Sequence, residues 1–201
     1  IDFIRILIYA AIAGLGAGVL GTLFTFSVNY VTQLRVKHPW LIYFLPIGGI
    51  VIVLLYKLAK YKDAGTDLVI NSIHAEPHLP VRIGPLIFIS SVITHLFGGS
   101  AGREGAALQI GGSVGSFISK TLRLKEEDKK TLIMAGMSGC FSALFGTPLT
   151  AAILPLEVVH VGYMQYAALL PCAIASLVGH SVAIAMNLVE PMHHIGTVPN
   201  L

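Results

Sequence analysis

Residues 98–112 read GGSAGREGAALQIGG and set a charged pair, Arg103 and Glu104, among glycines between two apolar stretches. Charge at membrane depth is costly unless it lines a polar pathway or a protein-walled cavity. Glycines that interrupt an apolar segment mark a broken helix of the kind that builds transport sites. If Glu104 opens a helix, the N–H groups of Gly105, Ala106 and Ala107 are among the donors without intrahelical partners. They carry the positive end of the helix dipole, about half an elementary charge. Such an end holds an anion, and partial charges hold it weakly enough for release. Ionised Glu104 competes for the same donors and leaves them when protonated, so one carboxylate links anion access to a proton. The segment points to ion transport, with Arg103 beside the anion; the plain alternative is a helix N-cap pair between Arg103 and Glu104.

Two further places carry chemistry. Ala64-Gly65-Thr66-Asp67 opens a short, rather polar segment, Gly65 to His74, that directly follows a basic cluster. It is too short to span and fits a half-membrane helix entering from the cytoplasmic side. Gly65 and the Thr66 hydroxyl at its start can complete an anion site from the opposite face, or Thr66 can serve as an ordinary N-cap. Glu157 is the only carboxylate between Asp128 and Glu190. It reads either as a buried structural acid near a cytoplasmic helix end or as a proton relay.

The elements that must position these groups are membrane helices. Of 201 residues, 55% are hydrophobic and 11% charged, against about 25% charged in soluble domains; mean hydropathy is +0.79. Charge-free runs lie between Arg5 and Arg35, Arg82 and Arg103, Lys130 and Glu157, and Glu157 and Glu190. A helical span needs roughly 20 apolar residues, so the chain is an all-α, multi-pass protein of the cell membrane with the lipid bilayer as its solvent. The first run is too long for a signal peptide and is read as a retained helix, and the missing initiator Met suggests a start inside a longer gene product. Lys57, Lys60 and Lys62 form one basic cluster and Lys120, Arg123, Lys125, Lys129 and Lys130 another; the positive-inside tendency puts both in the cytoplasm. No aromatic interleaving accompanies them, so no nucleic-acid partner is expected.

Helices are predicted over about 3–32, 39–58, 81–98, 104–122, 126–145, 148–160 and 163–188, with breaks at Gly146-Thr147-Pro148 and Gly162. Several are shorter than a full span, which is tolerated where irregular backbone lines a cavity or is buried in protein. Gly14, Gly16, Gly18 and Gly21 spell GxGxxG, but inside an uncharged apolar run they serve close helix packing, not a dinucleotide. Cys140 and Cys172 read as packing residues. No internal repeat is visible.

GREGAALQIGG followed by RLKEEDKKTLIMAGMSGCFSALFGTPLTAAILPLE resembles the N-terminal half of the CLC anion channel and transporter family. The resemblance is close over roughly 60–190 and looser over the first two helices. It implies that 1–201 is the N-terminal half of a CLC-type transmembrane domain: tilted, broken helices forming one half of an inverted-repeat fold, in a homodimer with one anion path per subunit. Glu104 would be the gating and proton-coupling glutamate, Thr66 would hold the central serine position, and Glu157 matches an acid at the cytoplasmic end of the corresponding helix. Three departures matter. The family's GSGIP is replaced here by Gly65-Thr66-Asp67-Leu68-Val69, its GREGP becomes GREGA at Ala106, and the internal proton-transfer glutamate of chloride–proton exchangers aligns with Val158. The loss of that glutamate is shared by the family's chloride channels and its fluoride–proton antiporters; the replaced central serine and THLFGGSAGREG are most like the fluoride–proton antiporter branch. The expected function is therefore fluoride export coupled to proton entry.

The alternatives are a passive chloride channel or chloride–proton exchanger of the same family and, from another class, a non-transporting scaffold or half-pore subunit. Enzyme chemistry is not expected, nor is a metal or other cofactor. His193 and His194 are adjacent, and the His74/His78 pair brackets Glu76 and Pro77 in a turn-like stretch, so neither makes a metal motif. His95 reads as a hydrogen-bonded interior residue.

Overall fold

The computed structural model describes residues 2–59, 80–159 and 165–188, and these are helical throughout, joined by tight turns. The helices are α1 (Asp2–Lys37), α2 (Leu45–Leu58), α3 (Ile83–Leu96), α4 (Arg103–Thr121), α5 (Glu126–Phe145), α6 (Pro148–Val159) and α7 (Leu169–Ala185). Single 3-10 segments precede α2 (Pro39–Phe44) and α7 (Tyr166–Ala168). The expected half-helix from Gly65 to His74, with Gly65 and Thr66, lies outside the described residues.

Among the described residues three stretches are long and apolar enough to cross a membrane: Phe3–Lys37, Pro39–Leu58 and Tyr166–Ala185. At 1.5 Å per residue, α1 with its 36 residues is about 54 Å long. That far exceeds a hydrocarbon core of about 30 Å, so it must tilt or project into the headgroups. Its apolar character ends at Leu34, yet the helix continues to Lys37, five residues past the expected stop at Thr32. Nothing in Gln33-Leu34-Arg35-Val36 breaks a helix, and the basic last turn faces the negative dipole end. The second predicted helix is divided, because Pro39 opens a 3-10 turn and Pro46 restarts an α-helix one residue inside α2. The last predicted helix, 163–188, contracts to Leu169–Ala185 behind its 3-10 entry.

The core is built around α5. Every residue from Leu132 to Leu144 on it is buried, polar members included. It packs against α1, α4, α6 and α7. Small residues make this possible. Gly111 of α4 faces Gly136 of α5, Gly115 faces the Leu132 carbonyl, and Gly139 faces Gly14 of α1 and Gly179 of α7. A Cβ at any of these would strike backbone. The GxGxxG glycines therefore do pack helices: Gly14 lies against Ala175, Gly18 against Gly179, and Gly21 against Cys140 and Leu144. Buried Cys140 and Cys172 are both free and sit in the same core.

The outward faces are apolar. Ile4, Ile8, Ile12 and Leu15 project from α1, and α2 exposes Ile47, Ile50, Val53 and Leu54. In water such surface would be unstable; in a bilayer, or against further protein, it is solvated. The α4–α5 turn carries Lys120, Arg123 and Lys125 and lines a cavity with Arg5 from the start of α1. The positive-inside tendency thus places the N-terminus of α1 and the α4–α5 turn on the cytoplasmic side. The break before α4 lies at the far end of that helix, 19 residues away.

Candidate anion site at the head of α4

The break is a defined backbone device. α3 ends at Leu96; Gly98 adopts φ +83°, its N–H donating to the His95 carbonyl (3.3 Å), while the Gly99 N–H donates to Thr94 (2.9 Å). This is a Schellman cap, and the left-handed position needs glycine. A Cβ on Gly99 would also meet Thr94 Cγ2 at 2.6 Å. Ser100, Ala101 and Gly102 then lead the chain round into α4.

Gly102 is the N-cap of α4, extended at φ −67°, ψ 142°, and no side chain caps the helix. The helix therefore starts at Arg103, one residue before the sequence expectation. With the Gly102 carbonyl accepting the first intrahelical bond, the orphan donors are those of Gly102, Arg103, Glu104 and Gly105. Of the three expected donors only Gly105 remains. Ala106 and Ala107 fall inside the helical ladder, and both side chains are buried, 5% and 0% exposed, against the core.

Glu104 sits at the second position of the helix and is exposed. Its Oε2 lies 3.0 Å from where a Cβ on Gly102 would be, so the carboxylate folds back over the open end of its own helix. That is the geometry in which a carboxylate competes for the end donors. Arg103 does not join it. The guanidinium turns to α1, where Nη2 donates to Asn29 Oδ1 at 3.2 Å. The N-cap pairing weighed from sequence is absent, and the arginine ties the head of α4 to α1 instead.

Asn29 was not singled out in the sequence, although a carboxamide in the charge-free run between Arg5 and Arg35 was a signal. Arg35 was also missed: its Nη1 lies 3.3 Å from the Cβ position of Gly98, over the turn itself. Further along α4, Gln109 is buried and its Oε1 has no hydrogen-bond partner among the described residues. Ser113, one turn on, is satisfied by the Gln109 carbonyl at 2.7 Å. His95 is partly buried with Nδ1 2.7 Å from the Ser91 carbonyl, the interior role expected of it.

Glu157 is exposed on α6, not a buried acid, because the buried face there is taken by Ala152, Pro155, Leu156 and Val159. Val158 beside it is packed on the main core. The structure thus places Glu104, Arg103 and Gly105 at one helix head and leaves Glu157 on a different element; Thr66 and Gly65 lie outside the described residues. No group of three or more His, Cys, Asp or Glu side chains that could hold a metal occurs among the described residues.

The family model described as voltage gated chloride channel matches residues 48–201. The chain belongs to the CLC family. It is 41% identical over 94% of its length to the chloride/fluoride channel protein of Pseudomonas syringae pv. tomato, and covers 42% of that protein. It is 28% identical over 76% of its length to the H(+)/Cl(-) exchange transporter ClcA of Vibrio campbellii, covering 36% of it. Among solved structures it matches a CLC-type fluoride/proton antiporter at 32% identity and a TM-score of 0.89, over 98% of this chain and 50% of that one. A slow cyanobacterial Cl-/H+ antiporter shares the fold, with a TM-score of 0.71. This CLC chain spans less than half the length of the curated relatives it matches. It is an all-helical membrane protein of that family.

Proposed function

We propose that the chain is the N-terminal half of a CLC-type anion transporter whose complete form exports fluoride in exchange for entering protons, with Glu104 as gate and proton carrier. The observation that carries this reading is the uncapped head of α4 with the Glu104 carboxylate folded over Gly102. Ionised, Glu104 occupies the end donors and excludes an anion; protonated, it loses its charge and its claim on them. The anion then takes the N–H groups of Gly102 to Gly105 and the dipole behind them. Because Arg103 is held by Asn29, the anion meets partial charges and no full cation, which keeps binding weak enough for turnover. Alternate occupancy by anion and carboxylate links the two fluxes.

Fluoride is favoured by the 41% identity to a protein named for both chloride and fluoride and by the likeness to a fluoride/proton antiporter. Fluoride is small and strongly hydrated, so a donor-rich backbone end that can also receive a hydrogen bond from protonated Glu104 offsets its dehydration. We assign Gly65 and Thr66 to the second helix end of the same site. Val158 in place of an internal acid fits a path in which Glu104 alone carries the proton. The exposed apolar faces of α6 and α7, with Leu149, Leu177 and Ile184, suit a homodimer contact or the second half of the fold.

The test is flux from liposomes holding the complete gene product, under a fluoride gradient with a pH indicator. Uphill proton movement driven by fluoride and little by chloride is expected. Chloride flux without proton movement would replace the reading with a passive channel, and equal coupling to chloride would replace it with a chloride–proton exchanger.

A further inference from the structure

At the opposite end of α4, Arg5, Tyr9, Arg123, Lys125, Glu127 and Asp128 line a cavity of about 390 Å³, floored by Ile6 and Leu124. The transport reading does not use it. Arg5 is fixed by Tyr9: its Nε donates to Tyr9 Oη at 2.9 Å, and its guanidinium carbon lies 5.5 Å from that ring centre. The side chains of Arg123 and Lys125, and the carboxylates of Glu127 and Asp128, make no ion pair within 4.0 Å among the described residues, whereas neighbouring Glu126 pairs with Lys129. Arg123 and Lys125 therefore share one cavity with Glu127 and Asp128 without pairing to them. Arg123 holds its place at φ +49°, a left-handed conformation that closes the α4 cap through the Leu124 N–H and Ser119 carbonyl (3.1 Å). Glycine is the ordinary residue there, and a strained non-glycine residue is a pointer to function.

The surroundings identify the medium. Phe3, Ile4 and Ile8 beside Arg5 are 57%, 65% and 55% exposed, and Phe117 on α4 is 56% exposed. The membrane span of α1 starts at Phe3. The cavity thus sits at the cytoplasmic lipid–water boundary, where basic pockets between helices take lipid headgroups. We propose that it binds a phospholipid headgroup carrying both a phosphate and a primary ammonium. Arg123, Lys125 and Arg5 take the phosphate, and Glu127 and Asp128 take the ammonium hydrogens, while the acyl chains follow the exposed apolar side chains of α1. A purely anionic headgroup would leave the two carboxylates without donors, and a quaternary ammonium has no N–H to offer.

The test uses the complete gene product in detergent, with binding read from thermal shift and from mass spectra of intact lipid adducts. The probes are dioctanoyl phosphatidylethanolamine, dioctanoyl phosphatidylcholine and soluble phosphoethanolamine. Phosphatidylethanolamine should bind at least about tenfold more tightly than phosphatidylcholine, and phosphoethanolamine should give no shift at the same concentration. Glu127→Gln with Asp128→Asn should erase the preference between the two lipids. Arg123→Gly suits the left-handed turn, so the fold is kept; it should weaken the lipid about fivefold. Lys57→Gln, a cytoplasmic charge outside the cavity, should leave affinity unchanged. Equal binding of the two lipids, equal binding of phosphoethanolamine, or an equal loss in Lys57→Gln would overturn the proposal.

Discussion

α4 and α5 both carry acidic residues in their first turns, and their heads behave differently. α5 starts after Lys125 with Glu126, Glu127 and Asp128 in its first turn, on a basic, water-facing loop, and Lys129 pairs with Glu126. α4 starts after Gly102 with one carboxylate, Glu104, between glycines, at a break inside an apolar run. The same dipole acts at both. At α5 three fixed charges oppose it and water screens what is left, so no site for a free anion remains at that head. At α4 a single charge opposes it, with no capping side chain and with Arg103 turned to Asn29, so the end is available to whichever negative group arrives. Chemistry arises where a single carboxylate stands at an uncapped helix head.

Substitutions separate the two helix heads. The largest effect is expected from Gly115→Val, which forces a side chain into the Leu132 backbone at the seam that holds α4 on α5. A loss of roughly 3 kcal/mol is expected, read as a collapse of the monodisperse fraction on size-exclusion chromatography. A folded variant with normal transport would mean that α4 need not be held rigidly. Next is Gly102→Ala, whose Cβ would lie 3.0 Å from Glu104 Oε2. Displacing the carboxylate should cost it about 1 kcal/mol and raise anion uptake several-fold in flux assays, with weaker proton coupling. Asn29→Ala removes the acceptor of Arg103. A loss of about 1.5 kcal/mol should appear as a lower Tm and slower flux, with the ratio of protons to anions kept. Smallest is the combined change of Glu126→Gln, Glu127→Gln and Asp128→Asn, whose solvated carboxylates should together contribute less than about 1 kcal/mol, read as a small drop in Tm with the ratio of protons to anions kept. A shift in coupling ratio in that variant would erase the distinction between the two heads.

Much of this was legible in the residues. Apolar runs and the Gly146-Thr147-Pro148 signal place α5 at Glu126–Phe145, the span expected, with Gly146 at φ +66° closing it. The break at Gly98 and Gly99 was visible because a left-handed cap asks for glycine. What escaped depends on how helices cross. Which polar residue of a 36-residue helix meets Arg103 is fixed by the packing of α1 on α4, and no spacing along either segment discloses Asn29. The start of α4 moved by one residue because Arg103, freed from capping, joined the helix, and this transferred the orphan donors from Ala106 and Ala107 to the residues before them. Glu157 looked interior in an apolar sequence, but a helix of twelve residues buries one face only, and Glu157 is on the other.

The most direct measurement is proton movement driven by a fluoride gradient in liposomes containing the complete protein with Glu104→Gln, beside the unaltered protein. The account predicts that proton movement falls to background while some fluoride flux persists, because glutamine fills the same space but cannot carry a proton. Proton movement at the unaltered rate would contradict it and return Glu104 to the status of a helix cap.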